Sequence, residues 1–307
     1  MTNRTLAAPA LTGVTAAVAA SLAYRALRRF PPGGEKPWAR VNHRGEPVTL
    51  LEGPAIVVGA LAGTAAAAVT GPGALPSDVA LALSVAGGGA AALGALDDLK
   101  GSGKRRGLRG HLGALRHGEV TTGALKLAGI GVTGTVAALL LRPGDRGPVD
   151  CAVNAGIIAG GANLLNLFDL RPGRAIKVML LSAGLIAAGD RRGGHAATAL
   201  AAPVGAALAL LPADLRERAM LGDAGANALG AMAGVAAASA LPRPARIGLL
   251  AAIVALTGLS EKVSFTRVIA RTPALNWLDM LGRRPAVSSP PGPHTPPTPP
   301  APPTPPQ

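Results

Sequence analysis

Val79-Ala-Leu-Ala-Leu-Ser-Val-Ala-Gly-Gly-Gly-Ala-Ala-Ala-Leu-Gly-Ala-Leu96 runs without a charge and ends at once in Asp97-Asp98-Leu99-Lys100. Eighteen apolar or small residues approach the roughly 20 that a helix needs to cross a bilayer. Runs of similar length recur along the 307 residues, 49% of which are hydrophobic and only 15% charged. A soluble domain carries about 25% charged residues, and the mean hydropathy here is +0.37. The chain therefore reads as an all-α, polytopic bundle of transmembrane helices. Residues 1–284 form one membrane domain, and no polar stretch is long enough for a separate soluble one.

Nine spans are expected, at about 5–24, 50–70, 78–96, 122–141, 149–168, 175–189, 196–212, 224–241 and 245–260. The segments between them differ sharply in charge. Of the 30 Lys and Arg, 23 fall in 25–49, 97–126, 169–177, 213–223 and 261–284, and 7 in the alternate set. The positive-inside rule then places the N-terminus outside and the basic loops in the cytoplasm, in a multi-pass protein of the cell membrane. The net charge of +14 belongs to this orientation and not to a nucleic-acid face, because the cations are dispersed between apolar runs. The run Leu6–Ala23 is followed, not preceded, by Arg25, Arg28 and Arg29, so it is a first span and not a signal peptide. The lone Cys151 excludes an internal disulfide and lies in an apolar run as packing. From Pro285 to Gln307, 12 of 23 residues are proline; this tail is expected to be extended and disordered.

Three polar stations fall on the cationic side. Asp97 and Asp98 end the third span, where the helix dipole disfavours anions, so a cation has to compensate them. Lys104, Arg105, Arg106, Arg109 and Arg116 are one source, and a divalent metal gripping phosphates is another. Asn163, Asn166 and Asp169 repeat every three residues along one stripe of a helix end; the amides also suit interhelical hydrogen bonding. Gly222-Asp223-Ala224-Gly225 opens the eighth span, where Asp223 alone would serve as a helix cap. A transporter would carry its ionisable residues midway along the spans, and here they sit at the ends.

Taken in order, Asp97-Asp98-Leu99-Lys100, Asn163-Leu-Leu-Asn166-Leu-Phe-Asp169 and Gly222-Asp223-Ala224-Gly225 resemble the motifs of the polyprenyl-phosphate N-acetylhexosamine-1-phosphate transferases, over roughly residues 40–260. Gly107-Leu-Arg-Gly-His-Leu and Thr121-Thr-Gly-Ala-Leu-Lys126 belong to the same likeness. The resemblance implies transfer of a sugar-1-phosphate from a UDP-sugar to polyprenyl phosphate, releasing UMP, with Mg²⁺ (or Mn²⁺) as cofactor, for cell-wall or envelope glycans. It implies that Asp97, Asp98 and Asp169 are catalytic and that Asp98, Asp169 and Asp223 hold the metal. Lys100, Asn163, Asn166, Arg109, His111, Arg171 and Arg174 would bind substrate, and homodimerisation is expected by analogy. The pattern departs from the family after Asp169, where Leu170-Arg171-Pro172-Gly173-Arg174 lacks a second acid. It departs again between Glu261 and Arg284, which contain no histidine. A catalytically degenerate relative that binds lipid phosphates is the alternative.

Overall fold

A computed structural model describes residues 4–69, 74–100, 122–141, 147–190 and 195–285. These form nine long helices: α1 (Arg4–Arg29), α2 (Glu52–Val69), α3 (Ser77–Lys100), α4 (Thr122–Leu140), α5 (Pro148–Phe168), α6 (Arg174–Gly189), α7 (His195–Leu215), α8 (Gly222–Ala240) and α9 (Arg243–Ser260). Two short ones, α10 (Phe265–Arg271) and α11 (Pro273–Met280), follow, and a hairpin of β1 (Ala39–Val41) and β2 (Pro47–Thr49) links α1 to α2. Punctuation follows the sequence. Proline begins α5 and sits in the first turn of α9, where its missing N–H costs nothing. Gly173, at φ 69°, makes the left-handed step into α6.

A helix stands at each of the nine expected positions, but seven of them (α1–α5, α7 and α9) are long and apolar enough to cross a membrane among the described residues. The other two, α6 and α8, fall short of that length and hydropathy for two physical reasons. Helix α6 has only 16 residues. Helix α8 has 19, of which 17 are buried against neighbouring helices, so its composition of Ala and Gly answers to packing and not to lipid. The outer helices show the reverse: Leu11, Val14, Val18 and Leu22 on α1, and Ile247, Val254 and Leu259 on α9, are exposed. Apolar surface this extensive is what a soluble monomer avoids. The proline-rich tail, beyond Pro285, lies outside the described residues.

Helix α8 is central, packed chiefly on α3 and α5 and also on α2, α6 and α7. Association inside a bilayer gains little from hydrophobicity and depends on close approach of backbones. Gly94 of α3 supplies one such approach, since a Cβ there would lie 2.3 Å from the Asp223 carbonyl oxygen. Away from the site, Arg246 of α9 is 2% exposed and donates to Asn154 Oδ1 at 2.6 Å and Asp150 Oδ1 at 2.9 Å on α5. That pair fastens the otherwise loosely covered α9.

The elements outside the long helices gather at one end of the bundle. Trp38, Leu50 and Leu51 pack with Tyr24, Leu27 and Met220, and Met220 N–H donates to Thr49 O at 3.0 Å. Phe168 stacks on Phe265 with ring centres 5.1 Å apart, which seats α10 against the end of α5. We expect Gly94→Val to destabilise the folded protein by about 1–3 kcal/mol through the clash with α8. Gly88→Ala, at a position with open space around it, should leave the melting temperature in detergent unchanged or slightly higher; equal melting of the two variants would refute the packing role of Gly94.

Candidate functional site

The site is built on the N-terminus of α8. A helix begins with backbone N–H groups that have no partner within the helix. Here Asp98, reaching across from the end of α3, takes two of them: Asp223 N–H to Oδ1 at 3.1 Å and Ala224 N–H to Oδ2 at 3.0 Å. The carboxylate thus meets the positive end of the α8 dipole. Gly222 makes room for it, in a left-handed conformation (φ 65°), and a Cβ there would lie 3.0 Å from Asp98 Oδ2. On the far side, Arg40 of β1 donates to the Asp98 carbonyl oxygen at the end of α3.

Asp97 and Asp223 share a cation. The ammonium of Lys126, one turn into α4, lies 3.0 Å from Asp97 Oδ2 and is also hydrogen-bonded to Asp223 Oδ2. Asp169 closes the site as the C-cap of α5, its N–H bonded to Asn166 O at 3.1 Å. Part of its surface still reaches solvent. Burial nonetheless raises its carboxyl well above the ordinary range, and Asp214, Asp223 and Asp98 raise it further against the lowering pull of the Gly222 amide. Behind it lie two more buried acids. Asp214 of α7 accepts the Gly173 N–H at 2.9 Å. Glu52, the first residue of α2, is 0% exposed, and neither of its carboxylate oxygens has a hydrogen-bond partner among the described residues.

The three stations of the sequence therefore converge. Asp97, Asp98 and Asp223 are joined directly, and Asp169 is within electrostatic reach of Asp98 and Asp223. Asn163 and Asn166 are half-buried on the last turns of α5, and Lys100 is exposed at the end of α3. Arg174 does not present a free charge: it is 4% exposed, and its guanidinium grips Asp279 of α11 at 2.7 and 3.1 Å and Thr266 at 2.9 Å. Arg171 is half-buried among other arginines. Arg109 and His111 lie outside the described residues.

The oxygen-only donor set suits a hard divalent cation, but its arrangement does not gather Asp98, Asp169 and Asp223 on one point. No group of three or more His, Cys, Asp or Glu able to hold an ion occurs among the described residues. The reasons are local: both oxygens of Asp98 serve the α8 amides, and Lys126 stands between Asp97 and Asp223. Compared with known proteins, the chain matches no family model and no curated protein.

Lys126, Glu52 and Asp214 were not singled out from the sequence as site residues. Each is a charged residue near the end of an apolar run, a pattern that marks function in membrane segments. The raised Asp169 carboxyl carries a testable consequence. An acid whose folded pKa exceeds its unfolded one withdraws stability as pH rises from about 4. Asp169→Asn should therefore melt above the wild type at pH 8, with the gap closing as pH falls toward about 4; a variant that melts lower at pH 8 would contradict the assignment.

Proposed function

We propose that this chain is a membrane phosphoglycosyltransferase that moves an N-acetylhexosamine-type sugar-1-phosphate from a UDP-sugar to polyprenyl phosphate and releases UMP. In this reading all nine long helices cross the cell membrane, the N-terminus is outside, and the charged end faces the cytoplasm, where cell-wall or envelope glycan precursors are built. The observation that carries it is the convergence of Asp97, Asp98, Asp223 and Lys126 beside Asp169.

Phosphoryl transfer asks a protein for positioning and charge neutralisation more than for covalent chemistry. An oxygen of polyprenyl phosphate forms the new bond to the β-phosphorus, and the bond from that phosphorus to the bridging oxygen breaks, so that UMP leaves with the electron pair. Asp169 holds its proton more tightly than an ordinary carboxylate, which fits it to exchange a proton with a phosphate oxygen. Lys126 is placed to answer phosphate charge. An apolar groove lined by Ile157, Leu164, Leu165, Met179 and Ile253 runs along the same helix that ends at Asp169, and it suits a prenyl tail. Mg²⁺, or Mn²⁺, would neutralise the diphosphate when bound. Asp97 and Asp223 would be the residues to hold it, with Asp98 and Asp169 near at hand.

A second reading is favoured by one observation, the ammonium seated between Asp97 and Asp223. On that reading the chain is a catalytically degenerate relative that binds lipid phosphates. Purified protein with labelled UDP-HexNAc, polyprenyl phosphate and Mg²⁺ separates the two. The transferase releases UMP and labels the lipid, and Asp98→Asn or Asp223→Asn lowers the rate by about 10²–10³-fold while the protein still folds. Absence of UMP with every UDP-sugar in a panel removes the transferase reading and leaves the second.

A further inference from the structure

Beyond Asp169, outside the acid cluster, the chain builds a second polar feature. A basin of about 600 Å³ opens between the hairpin, the α5–α6 link and α10–α11, lined by His43, Arg44, Arg171, Arg174, Asn276 and Arg283 among others. Its size is in the range of small-ligand sites. Arg174 apart, the residues just named come from segments outside the nine long helices, so the basin belongs to the extramembrane layer.

Its charges do not balance internally. Arg44 is answered by Glu217 at 2.8 Å. Arg174 and Arg283 are both answered by the single carboxylate of Asp279, at 2.7 Å each, and Lys177 donates to the Asp279 carbonyl oxygen as well. Four guanidiniums thus face two carboxylates. Arg171 makes no ion pair or side-chain hydrogen bond among the described residues, and its guanidinium is destabilised first by burial and then by Arg174 and Arg283, against the weaker pull of Asp279 and Glu217. His43 is pushed down by burial and by Arg171. The Arg283 side chain is 7% exposed, and its buried Nε has no hydrogen-bond partner. A brace between α6 and α11 explains Arg174, Arg283 and Asp279. It does not explain a fourth, unpaired guanidinium or an unsatisfied buried donor, which is costly to leave unmade. Planar, multiply donating arginines converging without enough carboxylates are how proteins bind phosphate.

We propose that this basin is a binding site for a phosphate-type oxyanion of a soluble ligand, held by Arg171 and Arg283 with His43 and Asn276 at its edge. The site does not depend on the transferase reading. Nor does it require a metal.

The test uses the full-length protein in phosphatidylcholine nanodiscs, titrated calorimetrically with inorganic pyrophosphate in the absence of Mg²⁺ and of any acceptor lipid. Saturable binding is expected, weakened tenfold or more by Arg171→Gln and less by Arg171→Lys. Arg267→Gln alters a separate cationic patch formed with Lys262 and Arg271 and should leave binding unchanged. In parallel, pyrophosphate should protect Arg171, but not Arg267, from modification by phenylglyoxal read by mass spectrometry. This second readout needs no variant. Absence of binding, equal weakening by the two glutamine variants, or no protection of Arg171 overturns the proposal. Protection by phosphatidic acid in the discs, with none from pyrophosphate, also overturns it, because the anion would then be a lipid headgroup. UMP release is measured separately, so a silent transferase assay leaves the anion site standing.

Discussion

The carboxylate of Asp98 on the first amides of α8 is the contact on which the working end depends. It joins the end of one helix to the beginning of another, and it does so where the backbones of α3 and α8 approach too closely for any side chain at position 94. A helix terminus that is not surrounded by water needs its N–H groups answered by protein. Asp98 supplies that answer, and in doing so it fixes where Asp223 points. Asp223 then meets Lys126, and Lys126 draws in Asp97. One capping interaction therefore sets the positions of three further charged groups.

The same logic shapes the surrounding acids. Burial drives up the cost of charge on Asp169 and adds to the repulsion from its neighbours, and the Gly222 amide relieves it in part. Concentrated, incompletely compensated carboxylates are a poor way to stabilise a fold and a familiar way to handle protons and phosphates. The arginine basin a few residues further along the chain has the opposite sign and the same lack of balance. Among the described residues, the acid cluster and the arginine basin thus follow one another closely in the chain, with Asp169 in the first and Arg171 in the second.

Much of this was legible in the sequence, and the boundary of legibility is physical. Apolar runs located all nine long helices, because each is bounded by polar and charged segments. They did not tell α8 from its neighbours, since a run of Ala and Gly looks alike whether lipid or protein surrounds it; 17 buried residues out of 19 are a property of the assembly. Asp97, Asp98 and Asp223 stood out as acids at apolar boundaries. Lys126 did not, because its meaning lies in a partner 97 residues away. Arg174 read as a free cation for the corresponding reason: Asp279, which occupies it, is 105 residues distant.

Helix α8 also bears on how the protein is made. A segment of alanine and glycine that carries Asp223 and Asn227 partitions only weakly into hydrocarbon by itself, and almost none of its surface is destined for lipid. Its settled position relies on companions already in place, α2, α3 and α5 having emerged from the ribosome before it and α7 immediately before it. Biogenesis of this bundle therefore turns on a keystone: a helix of alanine and glycine enters a slot that its predecessors have shaped, and only then can Asp98 meet the amides it caps.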